Sequence, residues 1–578
     1  MRSLGLSSLL FYATTLAAPL EKRAAAAAAS AAPSVTIQNG TIIGSSLAGV
    51  DSFLGIPFAE PPTGTLRLKP PQTISSSFGT ITATANGPAC PQLVSSVNTT
   101  NLLSNIFGAL IEPLITAGGS VQSEDCLHIN VQRPAGVSKD AKLPVLYWIF
   151  GGGFEAETND AYDGSNYVAK SVELNAPVIW VSVNYRVNGF GFLAGKELAA
   201  EGSTNLGLRD QRLGLQWVAD NITAFGGDPS KVTIWGESAG SISVFEQTII
   251  NGGDNTYKGH PLFRGGIMDS GSMQPADPVT AAKPQAVFDQ VATAAGCNPN
   301  GTDVLECIRA QPYDKFYAAV NTVPGFLSYT GNNLAFFPRP DPSNNFYNVS
   351  PEVALSKGHF AKVPIIIGDQ EDEGTLFTLS QANISTNAEV IEYLSTWFES
   401  NPNATETVTG LVANYPDEPE LGQPAGSPFG SGSAFNIYPQ FKRLAAIIGD
   451  QQFTLTRRNY LNAVSSSVKA WSFLNTYLFG TSILGTFHGS DIAIAFGEGA
   501  IEAQLAAQAV QQYYISFVNH QDPNALTKNS SSLINWPQYS TYNRTLLNFK
   551  ADSLGYLTDT FRAAAAQYLE DHAAVLHL

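Results

Sequence analysis

The segment Gly236-Glu237-Ser238-Ala239-Gly240 constrains the fold of this chain more than any other stretch of its sequence. It follows residues 231–235, an apolar run that predicts a strand, and it precedes residues 241–250, whose spacing predicts a helix. A serine at a sharp turn from strand to helix has an exposed hydroxyl, and the flanking glycines prevent steric clashes. The segment therefore predicts an α/β fold in which Ser238 is a nucleophile.

Several other apolar runs predict further strands of a single sheet. They are residues 127–131, 144–150 and 176–183, and short β segments are expected at residues 35–37 and 41–43. Continuous apolar strands that alternate with helices are typical of a parallel sheet covered on both faces. We therefore expect a large, mostly parallel central sheet with helices on both of its faces.

The composition indicates a globular protein with an acidic surface. Hydrophobic residues make up 44% of the 578 residues and charged residues only 14%, and the net charge is −17. A surface of this sign repels nucleic acids and anionic membranes, so neither is expected as a partner. Because no repeat or linker divides the chain, residues 33–578 are predicted to form a single domain.

The beginning of the chain predicts export. Arg2 supplies a positive charge, residues 4–16 are apolar, and Ala17-Ala18 fits a cleavage site between small residues. We interpret residues 1–18 as a signal peptide and residues 19–32 as a propeptide or flexible leader. The apolar stretch is too short for a membrane span, and no later segment reaches about 18 uninterrupted apolar residues.

Export makes disulfide bonds the expected state of the four cysteines. Four cysteines allow three pairings, and the spacing favours Cys90 with Cys126 and Cys297 with Cys307. No zinc site is predicted, since neither CxxC nor HxxxH spacing accompanies them. Glycosylation sequons agree with an extracellular protein. They lie at Asn39, Asn98, Asn221, Asn300, Asn348, Asn383, Asn403, Asn529 and Asn543.

A glycine run after one predicted strand indicates an oxyanion hole. Gly151-Gly152-Gly153-Phe154 follows residues 144–150, and glycines allow backbone N–H groups to approach a substrate closely. We expect donors at Gly152 and Gly153, with the N–H of Ala239 completing the hole. A phosphate-binding loop is not supported, because no lysine follows in the required spacing. Acyl transfer at such a site needs neither a metal nor a cofactor.

A nucleophilic serine requires a histidine base and an acid that orients the histidine. Four histidines lie far enough behind Ser238 for the expected order of serine, acid and histidine. They are His488, His520, His572 and His577. The last two lie in an apparent terminal helix, whereas His488 lies in a glycine-bearing loop after a strand-like run, at residues 471–477. The acid should follow the apolar residues 363–367, where residue types alone do not choose among four candidates. These are Asp369, Glu371, Asp372 and Glu373.

Short motifs spread over most of the chain are shared with one known family. They are Phe53-Leu54-Gly55-Ile56-Pro57-Phe58-Ala59, Ser123-Glu124-Asp125-Cys126-Leu127, Gly151-Gly152-Gly153-Phe154, Asn184-Tyr185-Arg186, Asn205-Leu206-Gly207-Leu208-Arg209-Asp210-Gln211, Phe225-Gly226-Gly227-Asp228-Pro229 and Gly236-Glu237-Ser238-Ala239-Gly240. With these motifs the chain resembles the type-B carboxylesterase/lipase family, which also contains the cholinesterases. The resemblance implies an α/β-hydrolase fold with a disulfide-closed lid loop. It also implies Glu373 as the acid, in Asp372-Glu373-Gly374, and supports His488 through Phe487-His488-Gly489-Ser490-Asp491.

Within that family the chain is most similar to fungal extracellular lipases and sterol esterases, in which the first disulfide loop carries a movable lid. The corresponding loop here spans about residues 90–126, and its apolar residues fall along one helical face. They are Leu102, Leu103, Ile106, Phe107, Leu110, Ile111, Leu114 and Ile115. Pro113 interrupts this helix, and permanent packing in the core is the alternative. No tryptophan occurs between the two cysteines, so choline esters are not the expected substrate.

The sequence thus predicts a secreted serine hydrolase that acts on lipid esters, of the triacylglycerol lipase or sterol esterase type, through an acyl-enzyme. Its partner would be an ester or lipid substrate at a lipid–water interface, without an integral membrane span, and the sequence allows a monomer or a dimer. A short-chain carboxylesterase with a small, fixed acyl pocket is one alternative. A non-catalytic adhesion protein of the same family, which would lack triad residues, is the other.

Overall fold

The computed structural model describes residues 32–93, 121–418, 436–497, 503–527 and 532–578. The predicted signal peptide, almost all of the predicted leader and the predicted lid helix at residues 102–115 lie outside the described residues.

The described residues form sixteen β-strands. They are β1 (Ser34–Ile37), β2 (Gly40–Ile43), β3 (Ser45–Leu47), β4 (Val50–Pro57), β5 (Gly79–Thr82), β6 (His128–Pro134), β7 (Leu143–Ile149), β8 (Ile179–Val183), β9 (Gly227–Glu237), β10 (Thr256–Tyr257), β11 (His260–Pro261), β12 (Gly265–Asp269), β13 (Ile365–Gln370), β14 (Ala470–Asn475), β15 (Thr545–Phe549) and β16 (Leu554–Thr558).

They also form sixteen α-helices. These are α1 (Ser165–Glu173), α2 (Asn188–Gly191), α3 (Lys196–Glu201), α4 (Leu206–Asn221), α5 (Ala239–Ile249), α6 (Ala282–Ala294), α7 (Val304–Ala310), α8 (Tyr313–Val320), α9 (Pro351–Ser356), α10 (Asn387–Ser395), α11 (Ala404–Val412), α12 (Phe441–Gly449), α13 (Leu455–Val464), α14 (Asp491–Ala495), α15 (Gln504–His520) and α16 (Ala563–Asp571). A π-helical turn, Asp450–Thr454, joins α12 to α13.

An eleven-stranded sheet forms the centre of the molecule, in the order β16-β15-β14-β13-β12-β9-β7-β8-β6-β4-β3. The strands from β15 to β8 are mutually parallel, and antiparallel strands flank them at both edges. The predicted α/β architecture with a mostly parallel sheet is thereby confirmed. Because parallel strands end at the same edge, residues that follow β9, β13 and β14 are brought together there.

One strand departs from the sequence interpretation. Residues 127–131 were grouped with the parallel strands, whereas β6 runs antiparallel to both of its neighbours, β4 and β8. The interior of β6 is buried on both faces. Its apolar residues Ile129 and Val131 alternate with the polar residues Asn130 and Gln132, a pattern more typical of an antiparallel strand than of a continuous apolar one.

The buried apolar side chains of the described residues form two large cores. The larger core packs the sheet against its covering helices, among them α5 and α15. The second core joins α10, α11 and α12 to residues 565–578. Disulfide bonds link Cys90 to Cys126 and Cys297 to Cys307. Among the residues placed by the structure, no helix is long and apolar enough to cross a bilayer.

Candidate active site

Ser238 occupies the tight connection between β9 and α5. Its backbone has φ +56°, in the left-handed region that non-glycine residues rarely adopt. The neighbouring glycines allow this turn: a Cβ atom at Gly236 would lie 2.4 Å from the backbone of Gly240, and one at Gly240 would lie 2.0 Å from the carbonyl oxygen of Ile149. The local sequence therefore holds the serine hydroxyl at the end of β9, as a nucleophile elbow requires.

A chain of hydrogen bonds joins Ser238 to two side chains from distant loops. The Nε2 atom of His488 lies 2.7 Å from the Oγ of Ser238. Its Nδ1 atom lies 2.6 Å from the Oε2 of Glu373. Because a carboxylate can only accept, this contact places the imidazole proton on Nδ1 and leaves Nε2 to accept from the serine hydroxyl. The arrangement is suited to removing a proton from Ser238.

The carboxylate of Glu373 is buried and held by one donor in β13 and another directly after β12. Its Oε1 accepts a hydrogen bond of 2.6 Å from the backbone N–H of Gln370 and one of 2.6 Å from the hydroxyl of Ser270. Together with His488, these donors use both carboxylate oxygens. They fix the orientation of the carboxylate and, through it, that of the imidazole ring.

The other three acids of this segment have different partners. Asp369 lies inside β13 and pairs with Arg457 at 2.6 Å. Glu371 is buried, and this burial raises its pKa to about 9. Asp372 accepts the backbone N–H of Thr486 at 2.9 Å, which ties its loop to the one that carries His488. Of the four acids, the structure brings only Glu373 to the histidine.

The remaining candidate histidines have other neighbours in the structure. His520 ends α15, His572 stacks on Tyr568, and His577 lies between Asp277 and Glu352.

The glycine loop after β7 lies next to Ser238. A Cβ atom at Gly151 would lie 3.1 Å from the Cβ of Ser238. Gly152 and Gly153 both have positive φ, at +76° and +63°. A Cβ atom at Gly153 would also lie 2.8 Å from the ring of Phe326. Glycine is thus needed for both the backbone conformation and the close packing of this loop.

A mostly apolar pocket opens beside Ser238, bordered by Gly153 and Ala239. Its apolar lining consists of Phe154, Ile242, Phe326, Leu334, Phe377, Phe453 and Leu578. The rings of Phe377 and Phe453 also lie 5.0 and 4.5 Å from the ring of His488. Sequence analysis missed both phenylalanines. Phe453 reaches the histidine from the π-helical turn, and no sequence period indicates such a turn.

A second buried acid contacts the histidine and was also missed. The Oε1 of Glu237 lies 3.5 Å from the Nε2 of His488. Burial and the nearby carboxylates of Asp491 and Glu157 raise the pKa of Glu237 well above its usual value. In the sequence, the signal for Glu237 was its position directly before the predicted nucleophile. Among the described residues, no group of three or more His, Cys, Asp or Glu side chains could hold a metal ion.

Comparison with known proteins gives consistent matches over nearly the whole chain. Residues 31–568 match the model of the Carboxylesterase family. The chain is 51% identical to "Secreted lipase 1" of Botryotinia fuckeliana, over 95% of this chain and 94% of that protein. It is 45% identical to "Secreted triacylglycerol lipase LIP1" of Gibberella zeae, over 94% and 90% of the two chains. The crystal structure of Aspergillus niger EstA superposes with a TM-score of 0.75 at 26% identity, over 95% of this chain and 99% of that one.

Proposed function

The chain belongs to the carboxylesterase family and is a carboxylic ester hydrolase, and from this premise we propose that it is a secreted lipase whose acyl-enzyme forms on Ser238. Two observations together carry the proposal. Hydrogen bonds join Glu373, His488 and Ser238 in a chain, and Ser238 borders an apolar pocket. The relatives named as secreted lipases support the same substrate class.

In the proposed mechanism, the Nε2 of His488 takes the proton of Ser238 while the serine Oγ attacks the ester carbonyl carbon. The backbone N–H groups of Gly152, Gly153 and Ala239 donate to the oxyanion that forms. His488 then gives its proton to the departing alkoxide, and the acyl group remains on Ser238. Water, deprotonated by His488, releases the acid in the second half of the reaction. Throughout, Glu373 orients the imidazole and stabilises its charged form.

The pocket wall supports a long acyl chain as the preferred substrate. Phenylalanine, leucine and isoleucine side chains form most of it, and each methylene group that leaves water for such a wall contributes about 0.8 kcal/mol. The value of kcat/KM should therefore rise with the length of the acyl chain until the chain is longer than the pocket.

Secretion is supported by two disulfides and by the names of the relatives. We propose that residues 1–18 direct this export and are removed, and that residues 19–32 form the leader of the mature chain. N-terminal sequencing of the secreted protein tests the cleavage after residue 18, and a mature chain that begins at about residue 33 would identify residues 19–32 as a propeptide instead.

The test of the function is hydrolysis of p-nitrophenyl esters from acetate to palmitate, with Ser238→Ala as the control. We expect the highest kcat/KM on long chains and no turnover above background in the variant. Activity restricted to acetate and butyrate would keep the nucleophile and favour the short-chain esterase. Activity that persists in Ser238→Ala would eliminate Ser238, and absence of any activity would favour a binding protein.

A further inference from the structure

We propose that Tyr185 is a positioning residue of the oxyanion hole: its hydroxyl holds the carbonyl of Gly151 and thereby directs the N–H of Gly152 toward the reacting ester. Tyr185 acts through the glycine loop rather than by contact with the substrate. This inference rests on the proposed function, and it adds a side chain outside the triad on which the rate of acyl transfer depends.

A planar peptide unit connects the two groups. The carbonyl of Gly151 and the N–H of Gly152 belong to the same peptide, in which they share a plane and point in opposite directions. A hydrogen bond that fixes the carbonyl oxygen therefore fixes the direction of the N–H as well. The oxyanion donor is thus controlled from the far side of its own peptide.

Glycine on both sides allows this peptide to rotate unless another group holds it. Gly151 has φ −89° and ψ −121°, a combination outside the main allowed regions of other residues, and Gly152 has φ +76°. Rotation of the peptide changes ψ of Gly151 and φ of Gly152, and glycine restricts both angles least. Because an oxyanion hole acts through donors that are already in place, this peptide requires an anchor.

The Tyr185 hydroxyl supplies that anchor. It lies 2.8 Å from the carbonyl oxygen of Phe150 and 3.2 Å from that of Gly151. A carbonyl oxygen only accepts, so the hydroxyl donates, and its single proton is shared between the two carbonyls. Two consecutive carbonyls are thereby held from one side, and the second is that of the peptide that carries the Gly152 N–H.

The tyrosine side chain is itself fixed in position. Tyr185 is completely buried, and its ring stacks on that of Phe150 with the ring centroids 4.3 Å apart. Burial and the nearby carboxyl groups of Glu157 and Glu237 raise the pKa of its hydroxyl well above the usual value. The hydroxyl therefore keeps the proton that it donates to the loop.

Main-chain donors hold the peptides of the other two oxyanion donors. The carbonyl of Gly152, which shares a peptide with the N–H of Gly153, accepts from the N–H groups of Glu155 and Ala156, both at 3.0 Å. The peptide that carries the N–H of Ala239 is held in the same way, through a carbonyl that accepts within the first turn of α5. The Gly152 donor differs because a side chain holds its peptide, and one substitution can release it.

The first test is Tyr185→Phe, which removes the hydroxyl and keeps the ring. Steady-state kinetics would use the p-nitrophenyl ester that the parent protein hydrolyses fastest. We expect kcat to fall about tenfold with KM little changed, since a misdirected donor costs less than the hundredfold or more that follows removal of a donor. An unchanged kcat would overturn the inference.

The matched control is Tyr147→Phe. Tyr147 is also completely buried, in β7, and its hydroxyl donates to the carbonyl oxygen of Gln211 at 3.0 Å. Each variant loses a hydrogen bond from a buried tyrosine to the backbone, so the melting temperatures of both should fall to a similar extent. We expect kcat to fall in Tyr185→Phe alone. An equal loss in Tyr147→Phe would indicate a general effect on the fold and would refute the inference.

An alkyl trifluoromethyl ketone reports on the oxyanion itself. The Oγ of Ser238 adds to its carbonyl carbon, the serine proton passes to His488, and the carbonyl oxygen becomes the oxyanion. The inhibition constant should rise in Tyr185→Phe by the factor by which kcat/KM falls, and it should not rise in Tyr147→Phe. A lower kcat with an unchanged inhibition constant would place the hydroxyl at another step and would contradict its role at the oxyanion.

A crystal structure of the parent protein with this ketone bound needs no variant to fold. The nitrogen of Gly152 should lie about 2.7 to 3.1 Å from the oxyanion while the Tyr185 hydroxyl stays on the carbonyl of Gly151. A Gly152 N–H that points away from the oxyanion would eliminate the inference. A parent protein that hydrolyses no ester would defeat the proposed function as well, whereas an active parent and an equally active Tyr185→Phe would defeat this inference alone.

Discussion

Two buried carboxyl groups contact His488 from different sides, and their surroundings differ sharply. Glu373 accepts hydrogen bonds from Gln370, Ser270 and His488 on its two oxygens. Glu237 lies among other acids, and its Oε1 has no hydrogen-bond partner in the part of the chain that the structure describes. Burial alone therefore does not define the role of an acid beside the histidine. The donors around it decide which carboxyl group can hold a negative charge.

The sharpest test of this difference is Glu373→Gln. The amide would present a donor or a poor acceptor to the Nδ1 of His488, and the imidazole would be held in the wrong tautomer. We expect kcat on a preferred ester to fall by about 10⁴-fold with the fold intact. A loss of less than tenfold, measured by steady-state kinetics, would contradict the role given to Glu373.

Removing one donor from Glu373 should have a smaller effect. Ser270→Ala deletes a hydrogen bond to Oε1 but leaves that from Gln370. We expect kcat to fall by about tenfold, in line with the loss of one hydrogen bond to a charged group, with KM little changed. Ser270 has φ +57°, at which a β-branched threonine is strained, so Ser270→Cys is the matched control: it keeps the size of the side chain with a weaker donor. A loss in Ser270→Cys as large as that in Ser270→Ala, together with a lower stability of both variants, would indicate a packing defect instead.

The corresponding change on the other side of the histidine is Glu237→Gln. The surroundings of Glu237 raise its pKa well above the usual value and so favour its uncharged form, whose size and neutrality an amide preserves. We expect kcat to change by less than about threefold. A loss comparable to that of Glu373→Gln would show that Glu237 acts as a charged group, and the contrast between the two acids would be lost.

The smallest effect on activity is expected at Glu157, whose contribution is to pH-dependent stability. Burial raises the pKa of Glu157 from 4.5 to about 7, against the hydrogen bond from Tyr162. The folded state thus retains a proton that the unfolded state releases. This stabilisation is complete below pH 4.5 and is lost as pH rises through about 7, at a cost of about 3 kcal/mol.

Urea unfolding at several pH values measures this effect. The free energy of unfolding should fall between pH 5 and pH 8, and Glu157→Gln should reduce the slope. A slope that is identical in the variant and the parent protein would exclude Glu157 as its source.

Most of the strands, and the loops that carry Ser238 and the glycine run, could be predicted from the sequence because their signals are local. An apolar strand followed by a glycine-flanked serine specifies the turn at Ser238, and the glycine run specifies the loop after β7. The direction of β6 was missed, although the alternation of Ile129 and Val131 with Asn130 and Gln132 is typical of an antiparallel strand. The choice of Glu373 was not predictable from residue types alone. Four acids lie within five residues, and the donors that distinguish them come from elsewhere in the chain, as Ser270 does.

The pocket was the least predictable part of the molecule. Gln274, Asn332 and Phe453 come from three segments far apart in the sequence, and they meet only through tertiary packing. Nothing in their local sequence distinguishes a pocket amide from an ordinary polar residue on the surface. The π-helical turn that carries Phe453 likewise depends on its surroundings rather than on a sequence period.

The distance along the chain between Ser238 and His488 has a consequence for biosynthesis. The two residues are 250 positions apart, and the nucleophile leaves the ribosome first. At typical elongation rates, roughly 10 to 50 seconds separate their synthesis. Under the proposed mechanism, a nascent polypeptide that already carries the serine lacks its base for this interval. Translation products that end before β14 also lack His488, and they are therefore expected to be inactive as ester hydrolases.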